Sequence, residues 1–326
     1  MDAARSRSVV VATHGHCFDG LASAVIFTQL YRELHPGTDA TFSYRACDYG
    51  PGDSAVPGAW LDGDDNAILD FRYTALPTLT WYFDHHATAF RDEADQEHYG
   101  RLPEGQHFYD AAYSSCTRLI ADVGRAQLGA RLAGLDDLIG WADRIDAARF
   151  ASAEEAVRRQ APALHLMTVL EHHGDAGALA ELVPRLLREP LDEVAGSAWV
   201  RERREPLEAQ RLASLDRLRA VAEQRGAVAF CDLSGETSEV SEKFGLYWLF
   251  PRACYSVALV RNGHGKLKVS VGYNPWSGIT RAHHIGEICR RHGGGGHPVV
   301  GAINLGAREL ERAQAICADI LKELGA

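Results

Sequence analysis

The sequence predicts an α/β protein with an N-terminal, mostly parallel sheet flanked by helices, a helical connector, and a smaller C-terminal α/β domain with a mixed sheet. Three observations lead there. Short apolar runs alternate with helical stretches over the first ninety residues, the grammar of buried parallel strands. A long helical region follows, from about 113 to 225. Past Gly226 strand-like runs return.

The first run, 8–13 (SVVVAT), is short and β-branched, and 20–34 (GLASAVIFTQLYREL) has helical spacing. Two further apolar runs each stop at an aspartate: 67–70 (AILD) and 81–84 (WYFD). In parallel α/β sheets ligands gather beyond the carboxyl ends of strands. That edge is where His14, Asp19, Asp70, Asp84, His85 and His86 fall. Helices are expected through 135–149 and across the charged stretch 195–224, which contains Pro206 and reads as a connector; its RERRE run is expected to be a solvated helix face. Strands are expected at 227–231, 254–261, 267–273 and 299–304, with a helix at 280–292 and another at the end. The domains predicted are therefore 1–194, a connector over 195–225, and 226–326.

Composition excludes several classes. The 326 residues carry 34 Lys and Arg against 44 Asp and Glu, a net charge of −10, so the chain is not built to coat a long duplex. No apolar run approaches the ~20 residues of a membrane span. The N-terminal apolar stretch is soon broken by Thr13 and His14, which does not read as a signal peptide. Seven scattered cysteines without a CxxC pair read as reduced thiols, and the expected location is cytoplasmic.

The fifteen histidines are more informative, because they cluster as His14/His16, His85/His86, His172/His173 and His283/His284, with His297 behind a glycine run. Asp84-His85-His86 directly follows an apolar strand. His14-Gly15-His16-Cys17-Phe18-Asp19-Gly20 sits at another strand-to-helix junction, and Asp143 and Asp146 lie downstream in Trp141-Ala142-Asp143-Arg144-Ile145-Asp146. Carboxylates and imidazoles crowded on one sheet edge repel unless cations lie between them. Mixed Asp/His ligands suit Mn²⁺, with Zn²⁺, Co²⁺, Fe²⁺ or Mg²⁺ chemically compatible. The glycine run Gly293-Gly294-Gly295-Gly296, ending in His297, removes every Cβ and lets backbone N–H groups approach a phosphate. Tyr273-Asn274-Pro275-Trp276 ends a strand, where Asn274 could bond a phosphate or base and Trp276 could stack; a plain turn with a packed Trp fits equally. Arg281, His283 and His284 open the helix before the glycines. His172/His173 beside Gly174-Asp175 read as a solvated helix end.

With His14…Asp19-Gly20, Asp70, Asp84-His85-His86 and Asp143 in order, and Gly293–Gly296 with His297 after Ile285-Gly286-Glu287-Ile288-Cys289, the chain resembles the DHH phosphoesterases that carry a C-terminal GGGH domain, a family including nanoRNase/pAp phosphatases and RecJ-like exonucleases. The resemblance spans nearly the whole chain. It implies two divalent ions held by Asp19, Asp70, His85 and Asp143, with Asp70 bridging and His14 in the other ion's shell, where Cys17 is a further candidate ligand. It further implies His86 facing the substrate phosphate, Asp84 orienting an imidazole, and Gly294, Gly295, Gly296 and His297 contributing to substrate binding; Asn274 and Arg281 are added as substrate-binding candidates from their own positions. Either aspartate of Asp143-Arg144-Ile145-Asp146 could be the inward one; Asp143 is the preferred reading.

One departure stands out: the usual Asp-x-Asp of the first motif is Cys17-Phe18-Asp19 here. Cys17 as ligand, His16 or His14 filling the gap, or a weak first site are the competing readings, alongside a buried cysteine that binds nothing. The expected function is hydrolysis, through a metal-activated hydroxide, of short oligonucleotides, linear or cyclic dinucleotides, or nucleoside bisphosphates. Exopolyphosphatase or pyrophosphatase chemistry is the first alternative, and a catalytically weakened nucleotide-binding protein the second. The expected partner is thus a small phosphorylated or short single-stranded nucleic-acid substrate, with no long duplex and no membrane; a homodimer is compatible with the chain.

Overall fold

A computed structural model describes residues 6–49, 55–237, 242 and 244–326. In chain order its elements are β1 (Ser6–His14), α1 (Phe18–Leu34), β2 (Asp39–Cys47), β3 (Asp65–Leu69), β4 (Trp81–Asp84), α2 (Glu93–Tyr99), β5 (His107–Tyr109), α3 (Cys116–Ala126) and α4 (Asp136–Asp146). Then come α5 (Ala153–Arg158), α6 (Pro162–His173), α7 (Ala176–Leu186), α8 (Leu191–Ala195) and α9 (Ala198–Val221). The remainder is β6 (Glu223–Arg225), β7 (Val228–Thr237), α10 (Gly245–Leu249), β8 (Tyr255–Arg261), β9 (Leu267–Tyr273), α11 (Ile285–Arg291), β10 (Gly295–His297), β11 (Val300–Leu305) and α12 (Leu310–Glu323). No described helix is long and apolar enough to cross a membrane.

The first sheet has the order β2-β1-β3-β4-β5, and every pairing in it is parallel. Its central strands β3, β4 and most of β1 are buried on both faces, which is why they read as unbroken apolar runs. The period of two sorts their side chains. Val10, Ala12, Ile68 and Tyr82 join Phe71 and Tyr73 in one cluster. Trp81 and Phe83 face the other way, onto Phe27 of α1 at 5.8 and 6.3 Å between ring centres. The buried Asp65 of β3 has its carboxylate engaged by Arg7 at 2.7 Å and Tyr31 at 2.5 Å, so its charge is matched. Helix α1 is mostly buried, and Gly20 in its first turn is dictated by space: a Cβ there would lie 2.0 Å from the His14 carbonyl oxygen. The close approach seats α1 directly on the end of β1.

The second sheet, β10-β11-β9-β8-β7-β6, is mixed: β7 and β8 run parallel and all other neighbours antiparallel. Alternating buried positions Val257, Leu259, Val269 and Val271 pack with Ile285, Ile288, Ile316 and Ile320 of α11 and α12.

The chain divides into two compact units, 1–149 with 160–204, and 150–159 with 205–326. The division falls inside the continuous helix α9, within the stretch 195–225 read as a connector, and the short segment around α5 belongs with the second unit. Two hydrogen bonds tie that segment there. Trp276 Nε1 donates to the Phe150 carbonyl at 2.9 Å, and the buried Arg211 donates to the Val157 carbonyl. Arg211 also pairs with Glu242 at 3.2 Å, both side chains only 4% exposed.

Breaking such a buried pair strands the remaining charge, a loss of about 3–5 kcal/mol. Urea unfolding of the full chain should show Arg211→Leu destabilised on that scale, whereas Arg101→Ala, which removes an exposed pair with Glu97, should shift stability by under about 0.5 kcal/mol.

Candidate metal centre

Sheet register builds the site. Thr13 of β1 pairs with Leu69 of β3, and Leu69 pairs with Phe83 of β4. The residues that follow each of them, His14, Asp70 and Asp84, therefore emerge side by side at the carboxyl edge, with His85 and His86 next in the chain. Cys17 and Asp19 come from the start of α1, and Asp146 from the last position of α4. Asp70 leaves its strand with φ +53°, the left-handed region that costs a non-glycine residue energy and that is found at functional sites.

The distances are those of a ligand cage rather than of ion pairs. Asp70 Oδ2 lies 3.5 Å from His14 Nδ1, and its Oδ1 lies 3.5 Å from His85 Nε2 and 3.7 Å from His86 Nδ1. His85 Nε2 is also 3.4 Å from Asp146 Oδ2 and 3.8 Å from Asp19 Oδ2. Both Asp70 oxygens, His14 Nδ1 and His85 Nε2 are buried and make no hydrogen bond among the described residues. Each such group costs about 1–3 kcal/mol, and four together amount to several kcal/mol that something must recover.

Three sets of donors lie within 4.8 Å of one another: His14/Cys17/Asp70, Asp70/His85/His86 and Asp19/His85/Asp146. Asp70 and His85 each occur in two of the sets. Carboxylate and imidazole donors match a borderline-hard divalent cation, so the residues present fit one or two such ions.

The electrostatics point the same way. Burial, then the charges of Asp70 and Asp146, push the Asp19 carboxyl well above the usual carboxylate range. Burial and Asp70 raise Asp146 to about 6. Burial, then Asp70 and Asp19, also push the Cys17 thiol up. Burial alone would lower His85, but the facing Asp70 and the charges of Asp19 and Asp146 raise it to about 10. For Asp70 burial acts upward and is outweighed by His14, His85 and His86, which hold it below its ordinary value. Buried carboxylates crowd one another here and draw His85 toward its charged form, a strain that a bound cation would relieve.

A surrounding layer fixes the donors. His85 Nδ1 donates to the Tyr113 carbonyl at 3.1 Å, which turns Nε2 toward the three carboxylates. The fully buried Asp84 accepts from Tyr82 Oη at 3.1 Å, from His85 N at 2.9 Å, and from His86 through both N at 3.3 Å and Nδ1 at 2.7 Å. Its carboxylate is saturated, so Asp84 is a positioning residue that aims His86. Asp19 accepts from the Cys116 and Thr117 N–H groups at 2.7 and 3.1 Å, the opening turn of α3. Tyr82, Tyr113, Cys116 and Thr117 carry no motif of their own; only the chain's return to the site gives them this role.

Several expected residues stand elsewhere. Asp143, the preferred ligand of its pair, accepts from Ser114 Oγ at 2.5 Å and Ser115 Oγ at 3.4 Å, and faces Arg149 at 3.6 Å. It lies one helical turn before Asp146, and Asp146 is the aspartate beside His85. His16, one candidate to fill the first-motif gap, turns away: its N donates to the Gly174 carbonyl and its Nδ1 accepts from Gly174 N. Cys17 stays at the cluster with His14.

In the second unit, Asn274 does not offer its amide to a ligand. It is fully buried, its Nδ2 donates to the Ala253 carbonyl at 2.9 Å and the Pro251 carbonyl at 3.3 Å, and its Oδ1 accepts from Trp276 N. Arg281 donates to the His283 carbonyl at 2.7 Å, and His284 caps α11 by accepting from Glu287 N. The glycines divide by cause. A Cβ on Gly294 would lie 2.2 Å from the Ala302 carbonyl oxygen, and one on Gly296, where φ is +148°, 2.3 Å from that of Val300. Those two are glycine because β10 and β11 pack backbone to backbone. Gly295 would meet nothing within 4 Å, and His297 beside it is exposed.

No protein-family model matches the chain, and no curated protein does. Solved structures do. The pGpG-specific phosphodiesterase PggH from Vibrio cholerae superposes with a TM-score of 0.67 at 17% identity, covering 97% of this chain and 99% of that one. RecJ from Thermus thermophilus in complex with Mn²⁺ gives 0.54 at 12% identity, over 97% of this chain and 52% of its own. An exopolyphosphatase-related protein from Bacteroides fragilis gives 0.50 at 13% identity, over 97% and 92%. At these identities the likeness is one of backbone architecture, and the chain has the fold shared by these DHH proteins.

Proposed function

We propose that this chain is a divalent-metal-dependent phosphoesterase acting on a short nucleotide substrate. The observation that carries this reading is the convergence of four buried, unbonded polar atoms, on His14, Asp70 and His85, at the carboxyl edge of a parallel sheet. Asp70, Asp19, His85 and Asp146 would hold one divalent cation, and His14 and Cys17, again with Asp70, would hold a second. Divalent ions bound there supply Lewis acidity toward a phosphoryl oxygen and toward water near neutral pH.

The protein's own groups do the rest. Asp84 holds His86 by its Nδ1, so the imidazole is preset to donate to a phosphate oxygen without reorganising. Tyr113 and the opening turn of α3 keep His85 and Asp19 from collapsing onto each other. The acidic chain favours a small anion held at such a centre over a long one, since no excess of Lys and Arg is present to follow a polymer backbone. PggH and RecJ, which share the fold, are a dinucleotide phosphodiesterase and an exonuclease, and this supports a nucleotide substrate. We assign the half-buried Gly295 and the exposed His297 to phosphate contact.

The test is a panel of short RNA, linear and cyclic dinucleotides, a nucleoside bisphosphate and polyphosphate, each with Mn²⁺, Mg²⁺, Zn²⁺ or Co²⁺ and with products read by mass. Cleavage of a nucleotide is expected. Turnover of polyphosphate alone would replace the substrate, and no turnover with any metal would leave a binding protein.

Calorimetric titration with Mn²⁺ separates the two aspartates. Asp146→Ala should weaken binding by at least about 100-fold, and Asp143→Ala by less than about tenfold, because losing even an outer-shell partner costs about 10–100-fold. In the second unit, Gly295→Ala should leave the melting temperature unchanged and weaken nucleotide affinity about tenfold. Gly296→Ala should instead cost about 2 kcal/mol or more of stability, read by denaturant unfolding.

A further inference from the structure

The two ion positions are not chemically alike. One is offered only oxygen and nitrogen donors, from Asp19, His85 and Asp146, with Asp70 3.5 Å from His85. The other is offered His14, Asp70 and the sulfur of Cys17. No other cysteine belongs to a donor set among the described residues. Cys116, whose backbone N–H holds Asp19, gives its thiol to the Phe83 carbonyl at 3.3 Å, and the His16 ring is bonded to Gly174.

Helix capping does not account for a cysteine at this point. Cys17 stands at the N-cap of α1, a position that favours Ser, Thr, Asp or Asn, and it makes no side-chain capping bond there. It is half-buried, whereas the chain's six other cysteines are buried. The donors it meets are themselves unsatisfied. Asp70 is 1% exposed, and its Oδ2 stands 3.5 Å from Nδ1 of His14 with neither atom hydrogen-bonded among the described residues. Ligands about 2.0–2.3 Å from one tetrahedral ion lie about 3.3–3.8 Å apart, so this is the spacing of two donors that share an ion.

A thiolate, an imidazole and a carboxylate, with a fourth position left for water, follow the three-ligand pattern of catalytic zinc sites. Sulfur selects thiophilic metals, whereas Mn²⁺ and Mg²⁺ prefer oxygen. As the Sγ–metal bond forms, the thiol proton leaves to solvent. The N-terminus of the 17-residue α1 favours the negative charge that remains on sulfur.

We infer that Cys17 makes the centre a mixed-metal one: the His14/Cys17/Asp70 position is built for a thiophilic divalent ion such as Zn²⁺ or Co²⁺, and the Asp19/His85/Asp146 position for Mn²⁺ or Mg²⁺. Mn²⁺ alone then fills only the second position tightly. This rests on the metal-centre part of the phosphoesterase reading and asks nothing of the substrate.

The full-length protein, freed of metal with a chelator, is compared as wild type, Cys17→Ser, Cys17→Asp and Asp146→Ala. Co²⁺ bound to a thiolate gives a near-ultraviolet charge-transfer band that oxygen and nitrogen ligands do not give. Wild type and Asp146→Ala should show the band on titration with Co²⁺, and both Cys17 variants should lose it. In calorimetry with Mn²⁺, wild type should bind one ion at least about tenfold more weakly than the other, and Cys17→Asp should narrow that gap. Because Zn²⁺ outbinds Mn²⁺ at most sites, the informative quantity is how far a substitution changes the preference; Cys17→Asp should lower it about tenfold or more.

A band that persists in a folded Cys17→Ser, a wild type that binds Co²⁺ without the band, or an unchanged preference in Cys17→Asp overturns the mixed-metal centre and leaves the phosphoesterase reading standing. The Cys17-dependent band in a protein that turns over no nucleotide when loaded with Zn²⁺ and Mn²⁺ together overturns that reading and supports the mixed-metal centre. A wild type that binds no divalent ion overturns both.

Discussion

A single carboxylate sets the terms for the first unit. Asp70 is buried and left-handed in its backbone, and its two carboxylate oxygens make no hydrogen bond among the described residues while facing three imidazoles at 3.5 to 3.7 Å. In water such a group would be fully solvated; here it is held where a bound cation would satisfy it. The strands on either side exist to bring His14 and the Asp84-His85-His86 turn to it. The helices α1, α3 and α4 close around it with Asp19 and Asp146. The centre concentrates uncompensated charge, and the surrounding sheet, apolar on both faces, provides the stability that this costs.

Precision at the centre comes from groups that touch no ligand. Asp84 spends its carboxylate on Tyr82, two backbone N–H groups and the His86 ring. Asp19 is pinned by the first N–H groups of α3, where the helix's positive end favours an anion. His85 is held by the Tyr113 carbonyl. Each contact fixes a rotamer before any substrate arrives, and preorganisation of this kind is what lets a polar site act on developing charge. The second unit shows a different economy. Its glycine run is partly architectural, because α11, β10 and β11 approach too closely for side chains at Gly286, Gly294 and Gly296.

Much of this was legible in the residues. Apolar runs that stop at Asp70 and Asp84 mark parallel strands whose ends bear ligands, and the strands predicted at 254–261 and 267–273 coincide with β8 and β9 to within a residue. Less legible were β2, whose exposed and half-buried residues lack an apolar run, and the three-residue strands β5, β6 and β10, too short to show a period. Asn274 was misread because a polar residue after a strand can serve a ligand or a turn, and only burial separates the two. Asp143 and Asp146 lie three apart on one helix, nearly the same face, so spacing could not choose between them.

By itself the sequence determined the fold class, the strand ends that carry chemistry, and the donor types that call for a cation, because hydrophobic period and residue chemistry are local properties. Tertiary structure alone decided which aspartate of α4 reaches His85, and that His16 turns to Gly174 while Cys17 stays. Those outcomes depend on how residues far apart in the chain meet, and a pattern read along one dimension holds no record of that distance.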